Sequence, residues 1–328
     1  MNLLAYLFLL LKGIIYGLTP FFTIELSKSY DVLDILALRF LLSLVAMWLL
    51  KELKVIKVSV GIKNLVTKNH RLPNLHYLLL AALFEPILYM FFETLGISMT
   101  SSITSAVIFS LTPISSCVLE WVMFKTHPTA MQGVFLGCGI LGVIYIAVNT
   151  SVDGGKSSAL GIIFLVLAIL SGNLFCAFSK KSSGEYTAFD ITYISCMLGA
   201  ITFNAFNILR HIFEGDIIHY FDPYFEPENL LGFFVLGIMS TIIATAMNNY
   251  AISKVSMSTF SAFGGVSTIV TVLVGVIFGA ESIRFYHLIG FPLILARMIG
   301  VSAISIMNDK KKLKEKNKEL SNSSLPPL

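Results

Sequence analysis

The chain has 328 residues, of which 56% are hydrophobic and only 13% charged, and its mean hydropathy is +0.82. A soluble globular protein carries about 25% charge, so this composition excludes a water-soluble domain, which would be left with large apolar areas exposed. The net charge of +4 comes from basic residues dispersed between apolar runs, a distribution that speaks against nucleic acid as a partner.

A helix needs about 20 mostly apolar residues to cross roughly 30 Å of hydrocarbon. In chain order the segments that meet this are 3–24, 33–50, 75–97, 102–122, 131–149, 159–179, 189–212, 230–252, 258–279 and 286–307. They predict an all-α integral membrane protein of ten transmembrane helices joined by short turns. The alternating ten-residue pattern of an outer-membrane barrel is absent. The first segment has no basic stretch before it and is interrupted by Lys12, so it reads as a spanning helix and not as a signal peptide. Cys117, Cys138, Cys176 and Cys196 fall inside apolar runs without a CxxC pair. They read as small buried hydrophobes, with no metal or other cofactor implied. Beyond 308 the chain turns charged and polar, and 309–328 reads as a short solvated tail.

Lysine and arginine bias reports which ends stay in the cytoplasm. The 51–74 connection holds Lys51, Lys54, Lys57, Lys63, Lys68 and Arg71. Later connections on that side add Lys125, Lys180, Lys181 and Lys254, and the tail adds six more lysines. The opposite side has Lys28, Lys156 and Arg284, with Arg210 near the boundary, and an acidic connection of Glu214, Asp216, Asp222, Glu226 and Glu228. Both termini are therefore expected in the cytoplasm, which requires an even number of spans. With no targeting signal, the cell (plasma) membrane is the expected location.

The chain also repeats itself. SMTSSITSA at 98–106 corresponds to SMSTFSA at 256–262, and Gly17 corresponds to Gly172. A shared period of about 155 residues divides the protein into 1–150 and 151–308, each with five spans. An odd number per half forces the halves into opposite orientations. Inverted repeats of this kind carry a binding site near the bilayer midplane, at the repeat interface.

These residues resemble the EamA-type transporters of the drug/metabolite transporter superfamily. The pattern is carried by Tyr16-Gly17 in the first span, Arg39 in the second, and Thr112-Pro113 in the fourth. Residues 240–256 resemble the family's eighth helix, and 278–282 with Glu281 its acidic motif between the last two. The chain departs from the pattern at Thr126, at Thr268 (which lacks a neighbouring proline) and at Arg297. Ser267 stands where the related sugar-phosphate exchangers often carry lysine. The resemblance implies transport of a small organic metabolite, often outward.

An ionisable side chain at the bilayer centre costs roughly 2.5–3.5 kcal/mol and needs a partner or a wet cavity. Lys12, Glu85 and Arg297 fall near mid-depth, Arg39 and Glu93 nearer the outer end, and Glu120 nearer the inner end. Lys12 and Tyr16 are four residues apart, as are Glu85 and Tyr89, so each pair shares a helix face. A Lys12–Glu85 pair with both tyrosines beside it forms either a polar pocket for the two ends of a zwitterion or a structural lock between two helices. In a third reading, Glu85 carries a coupling proton. Arg39 and Glu93 are expected to form a gating or structural ion pair. Asn173 and Asn248 are candidate pocket residues, although hydrogen bonding between helices also explains buried asparagines. Pro86 should kink the third span beside Glu85. Gly133-xxx-Gly137 and Gly275-xxx-Gly279 are small-residue faces suited to close helix packing.

No HExxH, GxSxG or P-loop lysine motif is present, so neither an enzyme nor an ATP-driven motor is expected. A secondary transporter of an amino acid-like metabolite leads, with the lipid bilayer as its surroundings. A nucleotide-sugar or triose-phosphate type exchanger is the alternative within transport. A receptor or scaffold would usually bring a sizeable soluble domain, and none is visible.

Overall fold

Every element of the computed structural model is helical among the residues it describes, which are 3–59, 75–112, 158–255 and 263–279 with isolated positions elsewhere up to 307. Segments 131–149 and 286–307, the end of 102–122 and the tail lie largely or wholly outside the described residues. So do Glu120, Thr126, Glu281, Arg297, Cys117, Cys138 and Pro113.

Six helices are long and apolar enough to cross a membrane. They are α1 (Leu3–Ser27), α2 (Val32–Glu52), α3 (Leu75–Ser98), α5 (Ala159–Ser182), α6 (Ala188–Glu214) and α7 (Pro227–Lys254). Two shorter apolar helices, α4 (Ser102–Phe109) and α8 (Gly264–Ile277), join them, and two short helical turns, Ile217–Phe221 and Asp222–Phe225, connect α6 to α7.

The helix ends follow local chemistry. Thr187 and Asp190 form a reciprocal capping box at the start of α6, and Gly215 at φ 76° ends it in the left-handed region that glycine tolerates. Ser101 accepts a hydrogen bond from the Thr104 backbone N–H at the start of α4, as an N-cap serine does.

The burial pattern is the reverse of a soluble protein's. On α1, Leu3, Leu7, Leu10, Leu11 and Ile14 are exposed, while Lys12, Thr19 and Thr23 are buried. On α7, Leu230, Leu231, Phe234 and Ile243 face outward, and Ser240, Thr241, Thr245, Asn248 and Asn249 face inward. Apolar side chains out and polar ones in is the arrangement that suits lipid as the outer solvent.

Packing partners are reciprocal between the two ends of the chain. Helix α1 packs on α7 and α8, and α5 packs on α3 and α4. Helices α2 and α6 pack on each other. The Tyr6–Phe263 and Phe21–Phe278 ring contacts place α1 and α8 parallel. The contacts Lys12–Asn248 and Thr19–Ser240 place α1 and α7 antiparallel. The seam between α1 and α8 is close because Gly13 faces Val266 and Gly17 faces Val270, where an added Cβ would lie 2.8 Å and 2.5 Å from the valine Cβ.

Two helices are not regular. Helix α3 breaks at Glu85, whose backbone is extended at φ −140°, ψ 116°. Proline pushes the preceding residue out of the helical region and removes a backbone donor, so the kink expected beside Glu85 is a full interruption. Helix α7 is widened over Phe234–Ala244 to i→i+5 winding. There Thr241 and Thr245 donate their hydroxyls to the carbonyls five residues back, Leu236 at 2.7 Å and Ser240 at 3.2 Å.

Candidate functional site

An internal cavity of about 150 Å³ lies between α1, α3, α4, α5, α7 and α8. Lys12, Tyr16, Glu85, Tyr89, Asn173 and Asn248 all stand on its wall, with Glu93 beside them. Lys12 and Tyr16 come from one face of α1. Glu85 and Tyr89 sit on either side of the point where α3 resumes its helical winding. Asn173 is placed by α5 and Asn248 by α7. Ring faces from Phe109 and Phe260 and hydroxyls from Thr112, Ser267, Thr268 and Thr271 complete the surface.

The polar groups do not pair as their order along the chain suggests. Lys12 and Glu85 make no ion pair. The Lys12 ammonium donates to Asn248 Oδ1 at 2.7 Å and lies 3.6 Å from the centroid of the Phe260 ring. Tyr16 OH lies 3.2 Å from Thr245 Oγ1. Asn173 accepts a 2.7 Å hydrogen bond from Ser116 through Oδ1, and its Nδ2 is buried without an acceptor among the described residues. The Glu85 side chain is 8% exposed and makes no hydrogen bond among the described residues.

The expected Arg39–Glu93 ion pair is also not formed. Arg39 is fully buried and turned toward the widened part of α7, donating from Nε to Thr241 Oγ1 at 2.8 Å and from Nη2 to Ser240 Oγ at 3.0 Å. Glu93 accepts from Tyr89 OH at 2.8 Å. The i→i+5 winding offers hydroxyls to the guanidinium, and the tyrosine one turn away on α3 reaches the carboxylate first. The Arg39 side chain does not line the cavity, and its Nη1 has no partner among the described residues.

The sequence reading passed over two groups. The first is the set of small hydroxyls on α7, Ser240, Thr241 and Thr245. The second is a polar cluster where α2 and α6 meet. Arg210 donates to Asp31 at 2.6 Å and Asp34 at 2.8 Å, Asn207 donates to Asp34 at 3.0 Å, and the His211 ring nitrogens lie 2.9 Å from Asp34 and 2.8 Å from Asp216. An aspartate in the first turn of one helix and an Arg-His pair in the last turn of its antiparallel neighbour are the visible signal. Nearby, Tyr30 donates to Glu226 at 2.5 Å; burial and that carboxylate push its phenol up to about 12. The cluster borders an open pocket of about 480 Å³ lined by both acidic and basic side chains.

No group of three or more His, Cys, Asp or Glu side chains among the described residues is arranged to hold a metal ion. Cys176 and Cys196 are buried free thiols.

The comparisons with known proteins agree with this architecture. The EamA-like transporter family model matches residues 3–148 and again residues 159–303. The Bacillus subtilis (strain 168) protein YcxC, described as an uncharacterized transporter, is 30% identical over 307 residues, spanning 94% of both chains. An uncharacterized transporter of Clostridium kluyveri is 23% identical over 319 residues, covering 94% of this chain and 96% of that one. A solved structure, described only as the crystal structure of a protein, superposes with a TM-score of 0.60 at 14% identity over 92% of this chain and 96% of its own. That likeness is one of fold alone. With two tandem matches that together span nearly its whole length, the chain belongs to the EamA-like transporter family and is a multi-pass membrane transporter.

Proposed function

We propose that this protein is a secondary transporter that moves a small amino acid-like metabolite outward across the cell membrane, with Lys12, Tyr16, Glu85, Tyr89, Asn173 and Asn248 as its substrate-binding residues. The observation that carries this reading is the convergence of these six side chains, from both family repeats, on one cavity. At about 150 Å³ it is smaller than the roughly 300–1,000 Å³ of pockets for drug-sized ligands, which suits a substrate of few heavy atoms.

The mechanism is alternating access between two inverted five-helix repeats, in a ten-helix protein with both termini in the cytoplasm. Helix directions support this. Helix α6 runs antiparallel to α2, as the Phe40–Phe203 and Asp34–Arg210 contacts require. Short turns join α1 to α2 and α5 to α6, so α5 runs against α1. These are the first helices of the two family matches, and opposite directions are what inversion demands. Arg39 and Glu93 are the gating residues, each held by a neutral partner in this conformation and free to pair when α7 and α3 shift.

Reconstitution into proteoliposomes tests the reading. Uptake of labelled amino acids, nucleosides and organic acids would be measured for wild type, Glu85→Gln and Lys12→Met. Wild type should move an amino acid-like compound at least tenfold faster than either variant. A panel in which no compound crosses faster than through empty liposomes overturns the proposal.

A further inference from the structure

The cavity wall treats its charged groups unequally. Lys12 has Asn248 and the face of Phe260. Glu93 has the Tyr89 hydroxyl. Arg39, behind the wall, has Ser240 and Thr241. The Glu85 carboxylate alone among these charges has no hydrogen bond or ion pair from the described residues, although the residue is only 8% exposed and its backbone carbonyl accepts from Ser195. A buried carboxylate without a partner is unfavourable; a proton satisfies it when no ligand is bound, and a cation that enters the cavity can take the proton's place. The Tyr16 and Tyr89 side chains share that wall, and aromatic faces favour an ammonium over an anion.

The complementary vacancy is a donor and is neutral. Asn173 is 4% exposed, its Oδ1 is occupied by Ser116, and its Nδ2 has no acceptor among the described residues. A buried amide N–H selects for an acceptor oxygen strongly, because a ligand lacking one leaves the donor unpaired. A neutral donor does not require that oxygen to be charged.

We infer that the substrate is an amine, with its ammonium on Glu85 and an acceptor oxygen on Asn173 Nδ2, and that a carboxylate on the substrate is dispensable. Lys12 then does not pair with a substrate anion; it balances the charge of Glu85 and Glu93 while held by Asn248. This rests on the transporter reading above and revises it at one residue: Lys12 lines the pocket as a charge-balancing group, whereas a zwitterion held between Lys12 and Glu85 would need both of its charges.

The test uses the purified full-length protein in detergent and a matched panel: the common α-amino acids, their α-amides, and the acids obtained by replacing the amino group with hydrogen. Ligand-induced thermal shift is titrated for wild type, Glu85→Gln and Asn173→Ala. The expected result is that an amino acid and its amide bind within about threefold of each other, while the des-amino acid produces no shift. Glu85→Gln should weaken amine binding at least tenfold, and Asn173→Ala should weaken the amide and the amino acid alike. The wild-type series stands even if a variant fails to fold. The inference is overturned if a des-amino acid binds as well as its parent, if the amide does not bind, if no amine in the panel binds, or if folded Glu85→Gln keeps wild-type affinity. Transport of an amine-free compound in the proteoliposome assay would refute this assignment and leave the transporter reading standing.

Discussion

The Lys12 ammonium and Asn248 Oδ1 meet at 2.7 Å across 236 residues of sequence, joining α1 to α7 in the second family repeat. A hydrogen bond to a charged group contributes about 1.5–3 kcal/mol. Asn248→Leu would leave the buried cation with only the Phe260 and Tyr16 rings among the described residues, so it should lower stability by about that amount. Asn248→Asp, which keeps an acceptor, should fold. Thermal melting of the purified variants checks both, and an Asn248→Leu protein as stable as wild type would refute the claim.

The α1–α8 seam depends on glycine. A methyl group at Gly17 would sit 2.5 Å from Val270 Cβ and 2.9 Å from the Ser267 carbonyl oxygen, too close for any rotamer change to relieve. Overpacking of this kind costs about 1–3 kcal/mol. Gly17→Ala should therefore destabilise the protein, and Val270→Gly in the same chain should recover part of the loss. At Gly133 no described atom lies within 4 Å of the added Cβ, so Gly133→Ala should change the melting temperature little. Equal effects at the two sites would mean that the α1–α8 spacing adjusts freely.

The polar cluster between α2 and α6 should matter more than an exposed ion pair of similar length. Asp34 is 7% exposed and serves Asn207, Arg210 and His211 together. Arg210 is partly exposed beside the open pocket, so losing Asp34 should cost less than the roughly 3–5 kcal/mol of a fully buried pair and nearer the roughly 1.5–3 kcal/mol of hydrogen bonds to a charged group. The exposed Lys28–Glu25 contact at 2.6 Å belongs to a class worth about 0–1 kcal/mol. Asp34→Ala should accordingly destabilise strongly and Glu25→Ala hardly at all. Parallel denaturation measurements decide this.

Arg39 reaches two separate hydroxyls from two of its nitrogens, a geometry that lysine's single ammonium cannot copy. Arg39→Lys should therefore fail to preserve transport even though charge is kept, with a loss of at least tenfold in proteoliposome rate. Thr241→Val and Ser240→Ala should each give a smaller loss. An Arg39→Lys protein with wild-type rate would show that only the charge is needed.

The sequence by itself determined that the protein lives in lipid, because 13% charge and long apolar runs admit no other solvent. It also singled out the residues that gather at the cavity. An ionisable or amide side chain inside a span is pushed away from hydrocarbon and toward the bundle interior wherever the helices meet, so Lys12, Glu85, Asn173 and Asn248 were legible one at a time. Four-residue spacing attached Tyr16 and Tyr89 to the same faces. Which of these groups touch was decided only by the tertiary structure. The rotation of each helix about its axis, the extended backbone at Glu85 and the widened winding of α7 move polar atoms by several ångströms, and hydrogen bonds depend on tenths of an ångström. Lys12 consequently meets Asn248 and not Glu85, Arg39 meets Ser240 and Thr241 and not Glu93, and Glu85 is left facing the cavity without a partner among the described residues.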